Sequence, residues 1–329
     1  MLLEIEDLHI SFATERGRLY AVRGADMVLE EGEILGIVGE SGSGKSVTAH
    51  SILRLLPSNG IYSGGDIRYN DRSIFSLSTQ ELRKFRGGEI SIIFQEPGRS
   101  FDPIYSIGRT MAETLLLHEP DLTEDEIRER SVALLQETNV PHPADRLSNF
   151  PHQFSGGLLQ RIMIAVSLAS NPRVLIADEP TTALDVTIQA GIMDLLLRLK
   201  QERNLSIVFI THNLALISTI ADRIAVMYAG LVLEQGPTRE VLDAPRHPYT
   251  RALLNSLLTF GHHYTTERLS VIPGTVPDPY RPEPGCPFAP RCPLVTEECR
   301  KAVPPLVQEG HPHRCILPGV KGEDYARVR

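Results

Sequence analysis

The sequence predicts an α/β protein built around a mainly parallel sheet, and two recurring patterns lead to that prediction. Short, continuous apolar runs recur along the chain, at 34–38, 90–94, 174–177 and 207–210. Stretches with the apolar spacing of amphipathic helices lie between them, as at 186–202. Because strands that are buried on both faces read as continuous apolar runs, the alternation indicates parallel strands covered by helices on both sides.

The other elements follow in order along the chain. Residues 3–12 and 20–29 have strand character, and turn residues between 60 and 75 surround another short strand. The stretch 106–170 is expected to be mainly helical. Within it, Thr123 is the expected cap of a helix that starts with acidic residues.

Composition is that of a globular chain. The 329 residues are 42 % hydrophobic, and no apolar run approaches the roughly 18 residues of a membrane-spanning helix. The acidic start lacks the basic region of a secretory signal, so we expect the chain to stay in the cytosol unless a partner holds it at a membrane. The net charge of −8 disfavours nucleic-acid binding. Twelve of the 24 prolines lie between Pro273 and Pro318, which excludes long helices and central strands there.

A complete phosphate-binding loop follows the apolar run 34–38 and precedes a helix-like run that begins at Val47. Its residues are Gly39, Glu40, Ser41, Gly42, Ser43, Gly44, Lys45 and Ser46. Glycine lets the backbone wrap a phosphate chain with its N–H groups. We expect Lys45 to reach the β and γ phosphates and the Ser46 hydroxyl to coordinate Mg²⁺. The strand–loop–helix context predicts binding of ATP or GTP.

Two carboxylates follow the apolar run 174–177. Asp178 and Glu179 come at the end of this predicted strand, which is the edge where ligands bind in open α/β sheets. Asp178 is expected to bind Mg²⁺, and Glu179 to orient or deprotonate the attacking water. The alternative is a solvated acidic pair at the end of a strand.

A serine–glycine–glycine sequence narrows the family. Ser155, Gly156 and Gly157 open a helix within 154–161, and this segment resembles the signature motif of ATP-binding cassette (ABC) ATPases. Phe154 and Leu158 replace the Leu and Gln of the family, while the core is intact. The resemblance implies a P-loop NTPase of the ABC nucleotide-binding type. That fold has a mainly parallel RecA-like sheet, an antiparallel β subdomain and an α-helical signature subdomain, whose helix N-terminus binds the γ-phosphate held by the opposing subunit.

The remaining landmarks of ABC ATPases come in the family's order. Gln95 closes a strand, as does the glutamine that senses Mg²⁺ and contacts the permease. Residues 183–185 match the D-loop, with Asp185 at the dimer interface, and His212 stands where the family has its γ-phosphate switch histidine. The resemblance implies catalytic roles for Lys45, Gln95, Glu179 and His212, Mg²⁺ ligands at Ser46, Gln95 and Asp178, and nucleotide contacts from Phe12 and from the loop 39–47. Phe12 is the first choice for stacking on the base; Tyr20 is the second, and either ring is also compatible with a core position.

Three further segments resemble the dipeptide/oligopeptide importers among ABC systems. They are 95–103 after the glutamine, 246–254 beyond the cassette, and 285–293 in the proline-rich part. Importers of that group carry peptides, nickel or metallophores, glutathione and some sugars. The resemblance implies an ATPase domain over 1–250, with its helical subdomain at about 97–165, and a Pro/Cys-rich C-terminal extension over 251–329.

The four cysteines of the chain all lie in that extension, at Cys286, Cys292, Cys299 and Cys315. A cluster of cysteines in a cytosolic protein indicates metal or redox chemistry more than disulfides. The resemblance implies a [4Fe–4S] cluster held by four thiolates, a ligation that suits this chemistry. Zinc and free thiols are the alternatives. His311 and His313 are candidate zinc ligands, but loop residues without that role are the favoured interpretation of these two histidines.

The predicted function is an ATP-hydrolysing subunit that energises import of di- or oligopeptides or a related small solute, bound to the cytoplasmic face of the inner membrane. The expected partners are a homologous second ATPase, two transmembrane permease subunits and an external solute-binding protein, with no nucleic acid. The competing class is a soluble ABC protein that acts on nucleic acid or ribosomes; one cassette, no heptads and a negative charge argue against it. An iron–sulfur sensor that only binds ATP is a third reading, against which Glu179 and His212 argue.

Overall fold

The computed structural model describes residues 1–182, 184–256, 272–308 and 310–317; Ala183 of the D-loop lies outside them, as do 257–271, 309 and 318–329 of the predicted extension. The strands are, in chain order, β1 (Leu3–Thr14), β2 (Gly17–Leu29), β3 (Ile34–Val38), β4 (Gly60–Tyr69), β5 (Arg72–Ser73), β6 (Ile90–Ile93), β7 (Val174–Asp178), β8 (Ser206–Thr211), β9 (Arg223–Tyr228) and β10 (Leu231–Pro237).

The α-helices are, in chain order, α1 (Lys45–Ile52), α2 (Thr79–Gly88), α3 (Pro97–Ser100), α4 (Ile107–His118), α5 (Glu124–Glu137), α6 (Pro143–Arg146), α7 (Gly156–Leu168), α8 (Val186–Arg203), α9 (Leu214–Ile217), α10 (Thr238–Asp243), α11 (Pro248–Asn255) and α12 (Glu298–Lys301). None of the helices in the described ranges is both long and apolar enough to cross a bilayer.

The chain divides into two compact units. The first comprises Met1–Leu29, Ile34–Phe75 and the part from Thr211 onward, and the second comprises Glu30–Glu33 and Ser76–Ile210. The described residues of the extension therefore belong to the same unit as the N-terminal strands. The boundary at residue 250 stays a prediction.

In the first unit, β1 lies between β2 and β4 in an antiparallel sheet that confirms the predicted β subdomain. A second group of strands pairs β3 with β9 in parallel and β9 with β10 in antiparallel fashion. All five residues of β3 are buried, as its continuous apolar run predicts. The strand leads directly into the phosphate loop and α1.

In the second unit, β7 pairs in parallel with both β6 and β8. The predicted helical stretch 106–170 is confirmed as α4 to α7, interrupted by turns. Thr123 caps α5 as expected: its Oγ1 accepts a hydrogen bond from the amide of Glu126, whose carboxylate accepts one from the Thr123 amide. The parallel pairing places the carboxyl ends of β6, β7 and β8 at one edge.

The described part of the extension packs on β2 and β10 of its own unit. The amide of Tyr20 donates to the Pro279 carbonyl over 2.9 Å, and the amide of Gln235 donates to the Pro312 carbonyl over 2.9 Å. Arg314 forms an ion pair of 3.0 Å with Asp26 on β2. The longest helix in residues 272–308 and 310–317 is the four-residue α12, in agreement with the proline density.

Candidate ATP-binding and signature sites

Two of the three glycines of the phosphate loop in the first unit could not be replaced by another residue without a clash. A Cβ atom at Gly39 would lie 2.0 Å from the Met227 carbonyl oxygen, and one at Gly44 would lie 2.5 Å from the Ala21 carbonyl oxygen. Gly44 also has a φ of +102°, a left-handed conformation that favours glycine. The close approach of β2 and β9 therefore fixes the path of the loop.

Lys45 is the first residue of α1, and its buried ammonium group lies against the loop backbone. Its Nζ donates to the carbonyl oxygens of Gly39 and Glu40 over 2.8 and 2.9 Å. The Ser46 side chain is half-buried beside it. The lysine and the serine hydroxyl therefore occupy the first turn of a helix, where backbone N–H groups favour anions.

Glu40 has contacts that the sequence motif did not reveal. Its amide donates to the Tyr249 hydroxyl over 3.0 Å, and its carboxylate accepts hydrogen bonds from Arg291 Nη1 over 2.8 and 3.1 Å. Tyr249 stands in the segment 246–254 and Arg291 in the segment 285–293. Both segments were recognised only by family resemblance, so the sequence alone offered no sign of these contacts.

A pocket of about 270 Å³ lies beside the loop, close to the lower end of the roughly 300–1,000 Å³ range of small-molecule sites. Its lining includes Tyr20 of β2, Ser41 and Gly42 of the loop, and the proline-rich segment 276–279. Phe12 is opposite Leu19 on the neighbouring rung of the β1–β2 ladder and is not among the lining residues. The geometry thus puts Tyr20, the second choice for a base-stacking ring, next to the loop.

In the second unit, the side chains of Gln95 and Glu179 are in direct contact. Gln95 Nε2 donates to Glu179 Oε2 over 3.0 Å, and Thr182 Oγ1 donates to the same oxygen over 2.8 Å. Glu179 has a φ of +46°, an uncommon conformation for a residue with a side chain, and its amide donates to the Ile210 carbonyl. Asp178 is buried at the end of β7. The carboxylate of Glu179 is therefore oriented by two donors from different loops.

The signature residues open α7 in the same unit. Ser155 is the N-cap residue and is exposed, and its hydroxyl does not bond to the first turn of the helix. A Cβ atom at Gly157 would lie 2.7 Å from Ile188 Cγ2, so the packing of α7 on α8 requires glycine there. A surface with helix N–H groups and an exposed hydroxyl suits an anion.

Asp185 and His212 are both exposed. Asp185 is the N-cap residue of α8, and its carbonyl oxygen accepts a hydrogen bond from the Gln189 amide. His212 follows β8, where the amide of Asn213 donates to Thr211 Oγ1 over 3.0 Å. His212 and the phosphate loop belong to the first unit, and the acidic pair, Gln95, the signature and Asp185 belong to the second.

The four cysteines line one cavity in the first unit, together with His247 and Phe288, and all are free thiols. Burial raises the pKa of Cys286 to about 11 and the pKa of Cys292 to about 12, while backbone N–H groups of Phe288 and Leu294 oppose the shifts. In the described part of the chain, no three His, Cys, Asp or Glu side chains converge closely enough to hold a single metal ion.

His311 and His313, the additional ligands of the zinc alternative, lie in a different network. His311 Nε2 is 2.6 Å from the buried Glu234 Oε1, and His313 Nδ1 is 3.1 Å from the His311 carbonyl oxygen. Glu234 also accepts from the amides of Arg246 and His247. Burial opposes ionisation, but the hydrogen bond from His311 and the amide donors outweigh it and lower the pKa of Glu234. This buried carboxylate joins the extension to β10 and α11.

Two family models match the chain. The model described as ABC transporter matches residues 22–182, which include the phosphate loop, Gln95, the signature and the acidic pair. The model described as the C-terminal region of oligopeptide/dipeptide transporters matches residues 233–299, which include three of the four cysteines.

Curated relatives match almost the full length. A putative peptide import ATP-binding protein of Brucella abortus is 45 % identical over 95 % of this chain and 94 % of its own length. The oligopeptide transport ATP-binding protein OppD of Bacillus subtilis is 44 % identical over 95 % of this chain and 87 % of its own. The dipeptide transport ATP-binding protein DppD of Escherichia coli is 43 % identical over 96 % of this chain and 97 % of its own.

Solved structures of ATP-binding cassettes match in fold. A dimeric post-hydrolysis structure of the cassette MJ0796 with ADP and Pi is 27 % identical with a TM-score of 0.65, and the match covers 72 % of this chain and 99 % of that one. The structure of cbiO1 from Clostridium perfringens, part of a cbiONQ transporter complex, is 30 % identical with a TM-score of 0.63, over 74 % of this chain and 90 % of that one.

Proposed function

Because the chain belongs to the family of ATP-binding subunits of ABC transporters, we propose that it hydrolyses ATP to drive the uptake of di- or oligopeptides. The observation that carries the peptide proposal is the match of residues 233–299 to the C-terminal region of oligopeptide/dipeptide transporters, which lies beyond the cassette. Relatives named for peptide, oligopeptide and dipeptide transport support it. The wider range of solutes that remains open for this chain includes nickel or metallophores, glutathione and sugars.

The site residues divide the work of hydrolysis. Lys45 binds the β and γ phosphates, and His212 contacts the γ-phosphate. Ser46, Gln95 and Asp178 would hold Mg²⁺, which neutralises the charge that develops on the phosphate oxygens. The carboxylate of Glu179 accepts hydrogen bonds from Gln95 and Thr182, which hold it in place to orient or deprotonate the attacking water.

A second ATPase subunit, identical or homologous, completes each ATP-binding site. The exposed N-terminus of α7, with Ser155, Gly156 and Gly157, contacts the γ-phosphate on the loop of the partner, and Asp185 lies at the interface. ATP binding closes the pair and hydrolysis reopens it. The segment around Gln95 and the helices of 97–165 contact the permease, a role supported by the exposed apolar side chains of Phe94 and Ile104.

The complex proposed here contains two permease subunits and an external solute-binding protein, and the ATPase binds peripherally at the cytoplasmic face. Affinity purification from native membranes in mild detergent, followed by mass spectrometry, tests this composition. Recovery of permease subunits, a second ATPase and a binding protein that binds di- or oligopeptides is the expected result. Recovery only in the soluble fraction, with ribosomes or nucleic acid, would favour the non-transport class of ABC proteins.

For the cysteine cavity, we propose a [4Fe–4S] cluster with Cys286, Cys292, Cys299 and Cys315 as ligands. All four cysteines line one cavity, so the proposed ligands surround a common space. The backbone N–H groups of Phe288, Leu294 and Leu317 donate toward three of the sulfurs, as hydrogen bonds to cluster ligands do. Ligation also removes the protons that burial holds on these thiols.

Anaerobic purification with iron, sulfide and zinc analysis tests the cluster. About four iron and four sulfide per chain, with a visible charge-transfer absorption, are expected. About one zinc per chain without iron would overturn the cluster and restore the zinc alternative.

A further inference from the structure

The second residue of the phosphate loop is held at three points. The Glu40 amide donates to the Tyr249 hydroxyl over 3.0 Å, and its carbonyl oxygen accepts a hydrogen bond from Lys45 Nζ over 2.9 Å. Its carboxylate accepts two hydrogen bonds from Arg291. Two of these three contacts come from residues beyond the catalytic motifs.

Arg291 is built into the extension and is not a mobile surface cation. Its side chain is only 6 % exposed. Besides Glu40, the guanidinium donates to the Tyr228 hydroxyl over 3.1 Å and to the carbonyl oxygens of Pro273 and Ile272 over 2.8 and 3.2 Å. A planar guanidinium with donors used on all three nitrogens has one orientation. The positive charge of Arg291 therefore lies at a fixed position beside the loop.

An aromatic group supports both contacts. Tyr249 and Tyr228 have ring centroids 4.5 Å apart, and Phe288 lies 5.3 and 5.6 Å from them. All three rings are almost completely buried. Since Phe288 is three residues before Arg291, the same turn of the extension supplies the packing and the charge.

The extension reaches the loop a second time. Residues 276–279 line the pocket that also contains Ser41 and Gly42, and this segment is held to β2 by the hydrogen bond from the Tyr20 amide to the Pro279 carbonyl. Three consecutive loop residues, Glu40 to Gly42, thus border residues of the extension.

We propose that Arg291 is a positioning residue for ATP binding, which neutralises the Glu40 carboxylate and holds the phosphate loop in its binding shape. An unpaired carboxylate in a loop that binds a triphosphate repels it, because both groups are negatively charged and lie close together. The extension of this chain therefore completes the chain's own nucleotide site. This proposal concerns ATP affinity alone, so it stands or falls independently of the transported solute.

A double-mutant cycle in the full-length chain tests the proposal by equilibrium binding of a fluorescent ATP analogue and by thermal unfolding. We expect Arg291→Ala to raise the Kd for ATP about tenfold, within the usual range of coupling between sites. In the double variant Arg291→Ala/Glu40→Gln, the Kd for ATP should return most of the way to the value of the unmodified chain, because the unpaired carboxylate is gone. Arg291→Lys should give an intermediate Kd, since lysine keeps the charge without the fork.

Arg314→Ala is the matched control, because Arg314 is a part-buried arginine of the same extension that pairs with Asp26 and does not contact the loop. It should lower the Tm and leave the Kd for ATP unchanged. If Arg291→Ala lowers the Tm as the control does and its Kd stays within twofold of the original, Arg291 is merely structural. Additive effects of Arg291→Ala and Glu40→Gln would also overturn the proposal. Should Arg291→Ala not fold, the same double-mutant cycle on the Kd for ATP is measured with Arg291→Lys and Glu40→Gln.

Discussion

Gly39 is the loop residue at which the surrounding backbone leaves the least room. A Cβ there would stand 2.0 Å from the Met227 carbonyl oxygen, so Gly39→Ala must displace β9 or the loop. We expect a loss of stability of about 1–3 kcal/mol, typical of overpacking, together with a markedly raised Kd for ATP. Urea unfolding and nucleotide binding measure the two effects. Gly98→Ala is the control, because a Cβ at Gly98 meets nothing within 4 Å; an equal loss there would refute the steric explanation.

Glu179 is the residue whose substitution separates binding from hydrolysis. Glu179→Gln keeps the shape of the side chain but removes the proposed base, so we expect ATP turnover of the assembled complex to fall by about 10²–10⁴-fold. ATP affinity should change little, in contrast to Lys45→Ala, which removes the charge proposed to bind the phosphates. Turnover and equilibrium binding, measured on the same preparations, distinguish the two variants. Unchanged turnover in Glu179→Gln would reject the general-base role.

Among the elements, helix ends show both the strength and the limit of prediction from sequence. The start of α5 was predictable because Thr123 and Glu126 form a local capping box. After His212, the sequence 213–220 has the pattern of a longer helix, yet α9 covers only Leu214–Ile217. The hydroxyls of Ser218 and Thr219 donate back to carbonyls three residues earlier, and such bonds compete with helix continuation.

The cap of α5 gives a prediction confined to one element. Thr123→Ala removes the oxygen that accepts from the Glu126 amide, so unfolding free energy should fall by about 1 kcal/mol. Thr123→Ser keeps that oxygen and should lower the free energy of unfolding by less. ATP affinity should be the same in all three proteins, because α5 carries none of the proposed nucleotide contacts. A change in Kd with Thr123→Ala would show that the helical subdomain is coupled to the loop, contrary to this expectation.

At the scale of the molecule, what the sequence could predict depended on whether a feature was local. The loop, the acidic pair and the signature are contiguous motifs, so their elements could be placed from sequence. The ion pair between Arg291 and Glu40 joins residues 251 positions apart, and no periodicity encodes it. The buried pair of Glu234 and His311 is equally non-local. In both cases, resemblance to a family identifies the extension but does not reveal the contacts that it makes.

The proposed role of the signature predicts an effect on turnover that appears only in the assembled transporter. Ser155 is exposed at the N-terminus of α7, and in the proposed arrangement it faces ATP on the partner's loop. Ser155→Ala should therefore leave the ATP affinity of the isolated chain unchanged. Turnover of the complete transporter should fall by about 100-fold, the usual effect of removing one donor to developing charge.

Ser148→Ala is the control for this variant, because Ser148 is another exposed serine of the same unit, and its hydroxyl donates to the Asp145 carbonyl three residues earlier. Its turnover should match that of the unmodified complex. A raised Kd for ATP in the isolated Ser155→Ala chain would mean that the signature acts on the nucleotide of its own subunit. An unchanged turnover in the complex would remove Ser155 from the site. Either result would require another account of how two cassettes share one ATP.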